Sequence, residues 1–192
     1  MDAQQFATAY ALTTSIGLRA FVTLALASLA MHFGYLHPSP AFAWLGSDGA
    51  TIALGVLAVL ELASDKVPVV DHFMHVIHFA TKPVAAAILV GALVPDPTGA
   101  LGPADYLAMG AGAANALAVH TVSATARGAS TATTAGIANP FVSLAEDVLA
   151  VGGTVLAILV PILAAVGALA VTVAFVIVAR RIWLATRRAH SV

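Results

Sequence analysis

The chain has 192 residues, of which 60% are hydrophobic and only 9% are charged, and it contains no cysteine. Soluble domains carry about a quarter charged residues, so this composition argues against a water-soluble fold. The lack of cysteine excludes disulfides and thiolate metal sites. We therefore predict a single all-α domain, a polytopic transmembrane helical bundle with about six spans. The net charge of −1 gives no reason to expect a nucleic-acid partner.

The predicted elements begin directly after the N-terminus, which lacks the basic start of a signal peptide. The predicted spans cover residues 7–33, 50–63, 69–94, 104–120, 140–159 and 161–182. Pro- and Gly-rich segments follow spans one and three, and Pro68 fits the first turn of span three. The apolar run over 141–179 would form a helix of roughly 58 Å, nearly twice the hydrocarbon thickness, so we divide it at Pro161. A Ser/Thr-rich tract, residues 121–138, separates spans four and five.

The basic residues suggest an orientation, because Lys and Arg accumulate on the cytoplasmic side of membranes. With six spans and the basic C-terminal tail inside, the N-terminus is also inside. Lys66 and Arg127 then lie in inner connections, and the outer connections at 37–49, 95–103 and Pro161 hold no Lys or Arg. A five-span alternative, with the last apolar run counted once, would place Arg127 and the tail on opposite sides.

The ionisable residues inside the predicted spans share one depth, in the cytoplasmic half, and each is costly enough to suggest a function. Glu61 and Asp65 are four residues apart and share a helix face, as do Asp71 and His75. Span three also carries His72, His78 and Lys82. We expect a polar chamber in which Arg19 is balanced by Glu61 or Glu146. Its candidate residues are Arg19, Glu61, Asp65, Lys66, Asp71, His75, His120, Arg127, Asn139, Glu146 and Asp147.

Structural explanations compete with this interpretation. Arg19 and a glutamate can form a purely structural ion pair. Asp65 and Lys66 can be interfacial residues whose charged ends reach the headgroups, and the span-three histidines can form a wet helix face. Asn139 with Pro140 marks a helix start, or alternatively a helix end that faces an anion. The 121–138 tract can be a flexible loop.

Four segments together resemble a family of small bacterial inner-membrane proteins known only as a domain of unknown function. These segments are Ser15–Phe21, Ala43–Ser47, Glu61–Asp71 and Asn139–Asp147, and they include a Gly-Leu-Arg motif, a Glu-Leu-x-x-Asp-Lys-x-Pro motif and an Asn-Pro-x-x-Ser-x-x-Glu-Asp motif. The resemblance implies a multi-pass protein of the bacterial cytoplasmic membrane. It implies no activity.

Three functions fit these residues, and a transporter is preferred over an enzyme. The first is transport of a small solute or ion, coupled to a proton or another cation that carboxylates carry. The second is an enzyme acting on a phosphate-bearing lipid headgroup through Mg²⁺. The third is divalent-metal transport, with Glu61, Asp65, Glu146 and Asp147 as candidate ligands. The expected partners are the lipid bilayer and a small solute, ion or lipid; a homo-oligomer is also compatible with the sequence, and no cofactor is indicated.

Overall fold

A computed structural model describes residues 2–64, 68–94 and 100–189, with the backbone alone at 68–76, 175, 178–179 and 182–189. The described residues form helices and no strands, which confirms the all-α prediction. The helices are α1 Ala3–Leu18, α2 Ala20–His32, α3 Asp48–Ser64, α4 Pro68–Leu93, α5 Pro103–Thr134, α6 Asn139–Leu159 and α7 Pro161–Ala189, with a short 3-10 helix at Pro40–Gly46.

The first predicted span is divided at Arg19 into α1 and α2, and the chain reverses direction there. Both helices pack along α6. Ser15 of α1 lies against Gly153, and Thr23 of α2 accepts a 3.3 Å hydrogen bond from Thr154, the next residue of α6. Residues on either side of Arg19 therefore meet the same turn of α6.

Contacts farther along α6 show that the two helices run side by side. Leu156 shares an apolar groove with Ala11 of α1. Leu159 shares another with Phe33, which follows α2. α1 and α2 thus form a helical hairpin with Arg19 at its apex, the α1–α2 hairpin, and its arms are roughly 24 Å and 20 Å long at 1.5 Å per residue. The single span predicted over residues 7–33 is therefore wrong.

The hairpin also changes the predicted orientation of the N-terminus. The segment after α2 meets the end of α4, where the Ser39 N–H donates to the Ala92 carbonyl at 2.7 Å. Because both hairpin arms extend away from the apex in one direction, the start of α1 lies at this same end of the bundle. The N-terminus and the 37–49 loop, predicted on opposite sides, are thus at one end of the bundle, and the side of the membrane that this end faces stays a prediction.

The Ser/Thr-rich tract predicted between spans is helical as far as Thr134. Its hydroxyl groups donate to carbonyl groups one turn earlier, as in the 2.8 Å bond from Thr125 to Thr121 and the 3.0 Å bond from Thr131 to Arg127. These bonds satisfy the hydroxyls within the helix itself. The helix ends where Ala135 enters the left-handed region with φ of 51°, a common way for a helix to terminate.

The outer surface of the bundle is apolar, whereas its interior holds charge. Large aliphatic side chains on α3, α6 and α7 are exposed, while Arg19, Glu61, Lys82 and Glu146 are buried. Among the described residues, α6 alone is long and apolar enough to cross a membrane, or two segments qualify if the 3-10 helix and α3, bent by 62°, count as one. The helix content is thus established, and the number of spans remains a prediction.

Candidate functional site

The apex of the α1–α2 hairpin is a break in the backbone hydrogen-bond ladder. Arg19 is extended, with φ of −136° and ψ of 103°, so the first N–H groups of α2 lack helical partners. The Glu61 carboxylate of α3 supplies them. Its Oε1 accepts from the Ala20 N–H at 2.9 Å, and its Oε2 accepts from the Phe21 and Val22 N–H groups at 2.9 and 3.0 Å. Glu61 is completely buried and acts as the N-terminal cap of α2.

The other side of the break is satisfied by a buried cation. Lys82 of α4 donates through Nζ to the carbonyl groups of Gly17 and Leu18, each at 2.9 Å. These are the last carbonyl groups of α1. A negative charge at the start of α2 and a positive charge at the end of α1 each oppose the partial charge of that helix end. Glu61 and Lys82 therefore compensate the break with opposite charges.

Two histidines extend this arrangement onto α4 and α5. His120 Nδ1 lies 3.0 Å from Lys82 Nζ and accepts a hydrogen bond from the third N–H of the ammonium group. His78 Nε2 lies 3.9 Å from Glu61 Oε1. The two imidazole rings are 6.2 Å apart between centroids. Both histidines are buried, so titratable groups stand beside each of the capping charges.

Arg19 itself points toward α6. Its Nε lies 2.6 Å from Asp147 Oδ1, and its Nη2 donates to Ser143 Oγ at 2.8 Å. The same Nη2 is 3.9 Å from Glu146 Oε2. The sequence suggested Glu61 or Glu146 as the carboxylate that balances the charge of Arg19. In the structure, Glu146 lies near Arg19, whereas Glu61 accepts hydrogen bonds from the start of α2. Among the described side chains, Asp147 is the acidic group closest to Arg19.

Glu146 is the second carboxylate of this region and joins α5 to α6. Arg127 and Ser123 of α5 both donate to it, Arg127 through Nη2 and through Nε at 3.3 Å, and Ser123 through its hydroxyl. Glu146 is buried, with Arg19 on its other side. The α5–α6 pair is thus tied to the hairpin apex through two arginines.

These side chains form one continuous group, which we call the apex cluster. Its members are Arg19, Glu61, His78, Lys82, His120, Ser123, Arg127, Ser143, Glu146 and Asp147. Six of the eleven sequence candidates are among them: Arg19, Glu61, His120, Arg127, Glu146 and Asp147. The structure thus brings together charges that the sequence indicated only as sharing a depth.

The remaining candidates fall outside the apex cluster or outside the described part of the chain. Asn139 begins α6, and its amide donates to Thr131 of α5 at 2.8 Å. Asp65 and Lys66 lie outside the described residues, and so do the side chains of Asp71 and His75. Asn139 is therefore part of a contact between helices, and the other four candidates stay predictions.

Sequence reasoning left four cluster members out of its candidate set: His78, Lys82, Ser123 and Ser143. Lys82 carried a usable signal, because a lysine within the apolar part of a predicted span must find partners. The serines carried none, since nothing distinguishes them from the many serines and threonines that bond within their own helices.

The proposed metal ligands do not converge in the described structure. Glu61 faces backbone N–H groups, whereas Glu146 and Asp147 face arginine guanidinium groups. Within the described residues, no three His, Asp or Glu side chains form a group able to hold a metal ion. A metal at these positions would first have to displace hydrogen-bond donors from each carboxylate.

Comparison with protein families identifies the chain. Residues 6–181 match the model of a family described as a domain of unknown function (DUF4126), and the chain belongs to that family. The match covers all seven α-helices in whole or in part, including the complete apex cluster. No curated protein and no solved structure shows significant similarity to the chain.

Proposed function

We propose that this DUF4126 protein is a multi-pass transporter of a small charged solute or ion in the bacterial inner membrane, coupled to a proton or another cation. The observation that carries the proposal is the charge-compensated helix break at Arg19. Interrupted helices with charged groups at their ends form the substrate and ion sites of many secondary transporters.

The membrane location is supported by the distribution of side chains, with aliphatic residues on the outside of the bundle and charged residues inside. Exposed aliphatic residues include Ile52 and Val59 on α3, Leu159 on α6, and Leu163 and Val166 on α7. Exposed apolar surface of this extent marks a lipid or protein interface. A bilayer covers such apolar surface around the whole bundle. The buried charges then face the bundle interior, as is usual for charged residues in membrane proteins.

The hairpin suggests a revised topology within this proposal. Five helices, α3 to α7, cross the bilayer, and the α1–α2 hairpin enters from the outer side with its apex in the inner half. Arg127 and the exposed Arg180 and Arg181 of α7 then lie toward the cytoplasm, in agreement with the positive-inside tendency. Non-helical backbone at membrane depth is tolerated only where protein or water satisfies it, as Glu61 and Lys82 do.

The apex cluster has the properties that a coupled transport site requires. Its positive and negative groups alternate in space and come from the apex and from α3, α4, α5 and α6, so a movement of the hairpin must exchange their partners. A solute of either sign could replace one partner at a modest electrostatic cost, whereas an isolated buried charge would be costly. Transport in this scheme is a change of ion-pair partners at the apex.

The test is charge movement by the purified protein in liposomes. Solid-supported-membrane recordings would follow currents after jumps in pH, Na⁺, K⁺, inorganic phosphate and small carboxylates. The proposal expects a protein-dependent current for at least one of these probes, and its loss in Lys82→Met. Gly110→Ala is the matched control, because a methyl group added at Gly110 meets open space.

Two outcomes would overturn the proposal. One is the absence of current for every probe from protein shown to be folded by circular dichroism. The other is a current that Lys82→Met and Glu61→Gln leave at the wild-type level, since neither end of the break would then take part.

A further inference from the structure

The buried carboxylates of the apex cluster differ in the nature of their partners. Glu146 contacts Arg127 and Arg19, and Asp147 contacts Arg19. A guanidinium group keeps its proton in proteins. These two carboxylates therefore face permanent positive charge in this structure, which opposes their neutralisation.

Glu61 is held differently. The hydrogen bonds that define its position come from the neutral N–H groups of Ala20, Phe21 and Val22. The groups that face it in the described structure are His78 and Lys82 from α4 and Arg19 from the apex. From α5, His120 acts through Lys82. Its nearest described side-chain partner is thus a histidine, which can itself take up or release a proton near neutral pH.

Building on the proposed function, we propose that Glu61 is the proton-binding residue of this protein and that its protonation releases the α1–α2 hairpin. The proton comes from hydronium on the cytoplasmic side, is taken up by His78 Nε2, and crosses the 3.9 Å to Glu61 Oε1 through one bridging water. One O–H bond forms on the carboxyl as the N–H bond of the imidazolium breaks. The return transfer reverses these changes, so no other reactant is needed.

The consequence for the backbone follows from the geometry. The carboxylate presents two acceptor oxygens to three N–H groups. A neutral carboxyl presents a hydroxyl on one side, which is a donor and a poorer acceptor. The first turn of α2 then loses part of its cap, and the charge that opposed Lys82 disappears. A single proton on Glu61 thus changes both contacts at the apex.

Hydrogen exchange read by mass spectrometry tests this inference without any transport assay. The measured quantity is the protection of the Ala20, Phe21 and Val22 amides across a pH series, corrected for the intrinsic exchange rate. We expect protection in wild type to fall by about tenfold or more on acidification, following one titration. In Glu61→Gln, protection should be low and independent of pH. Asp105→Asn is the control, because Asp105 caps a different helix, α5, through the Gly102 N–H. This substitution should leave the pH dependence of the Ala20, Phe21 and Val22 amides as in wild type.

The outcomes separate this inference from the proposed function. Constant protection of these amides across the pH series in wild type overturns the inference, even if transport is observed. A wild-type pH response in Glu61→Gln also overturns it. If Glu61→Gln fails to fold, Glu61→Asp replaces it: a shorter carboxylate should lower protection yet keep the titration, and an unchanged protection level would count against the inference. Absent currents with an intact titration would overturn the transporter proposal alone.

Discussion

Replacing Glu61 by alanine is the most direct perturbation of the hairpin. The substitution removes the acceptor of three N–H groups and leaves Lys82 buried without the carboxylate that opposes its charge at the helix break. Three orphaned donors at about 1–3 kcal/mol each would give an upper bound of roughly 9 kcal/mol. Water entry and relaxation reduce this, and removing one member of a buried charge pair typically costs about 3–5 kcal/mol. We expect a loss of about 3–5 kcal/mol in the free energy of unfolding.

The assay is reversible unfolding in mixed micelles by titration with sodium dodecyl sulfate, followed by circular dichroism. Glu61→Gln should lose less, because its amide oxygen still accepts from one or two of the N–H groups. In a double-mutant cycle, Glu61→Ala and Lys82→Met should be less destabilising together than the sum of the two, since each leaves the other's charge unpaired. A Glu61→Ala protein within about 0.5 kcal/mol of wild type, the range of ordinary surface substitutions, would refute the capping argument.

Two further predictions concern the hairpin as a whole. The chain lacks cysteine, so single cysteines introduced at the exposed positions Gln4, Ser47 and Thr133 can be labelled with an impermeant maleimide in oriented vesicles. Gln4→Cys and Ser47→Cys should react from one side of the membrane, and Thr133→Cys from the other. Labelling of Gln4→Cys and Ser47→Cys from opposite sides would contradict the hairpin. Gly17→Ala should destabilise the protein by about 1–3 kcal/mol, because its Cβ would lie 2.5 Å from Val119 Cβ; Gly110→Ala should be neutral in the same unfolding titration, and equal effects of the two substitutions would disprove the close approach of α1 and α5.

The sequence alone was sufficient for the all-α class and for several helix ends. Composition indicated a helical protein with an apolar exterior, and Pro140 and Pro161 each stand in the first turn of a helix. Proline acts locally, through its fixed φ and its missing N–H, so its effect can be predicted without knowledge of tertiary contacts. The sequence also predicted that Arg19, Glu146 and other charges lie close together, because a buried charge requires a partner.

Only the tertiary structure decided where the chain reverses and which charges pair. Nothing local marks Arg19 as a break, since the residues on both sides are apolar and form helices. The break exists because Glu61 of α3 and Lys82 of α4, far away in sequence, satisfy the N–H and carbonyl groups that it exposes. The pairing of Arg19 with Asp147 depends in the same way on how α6 packs against the apex. Partner choice among buried charges is a property of packing, and periodicity in the sequence carries no information about it.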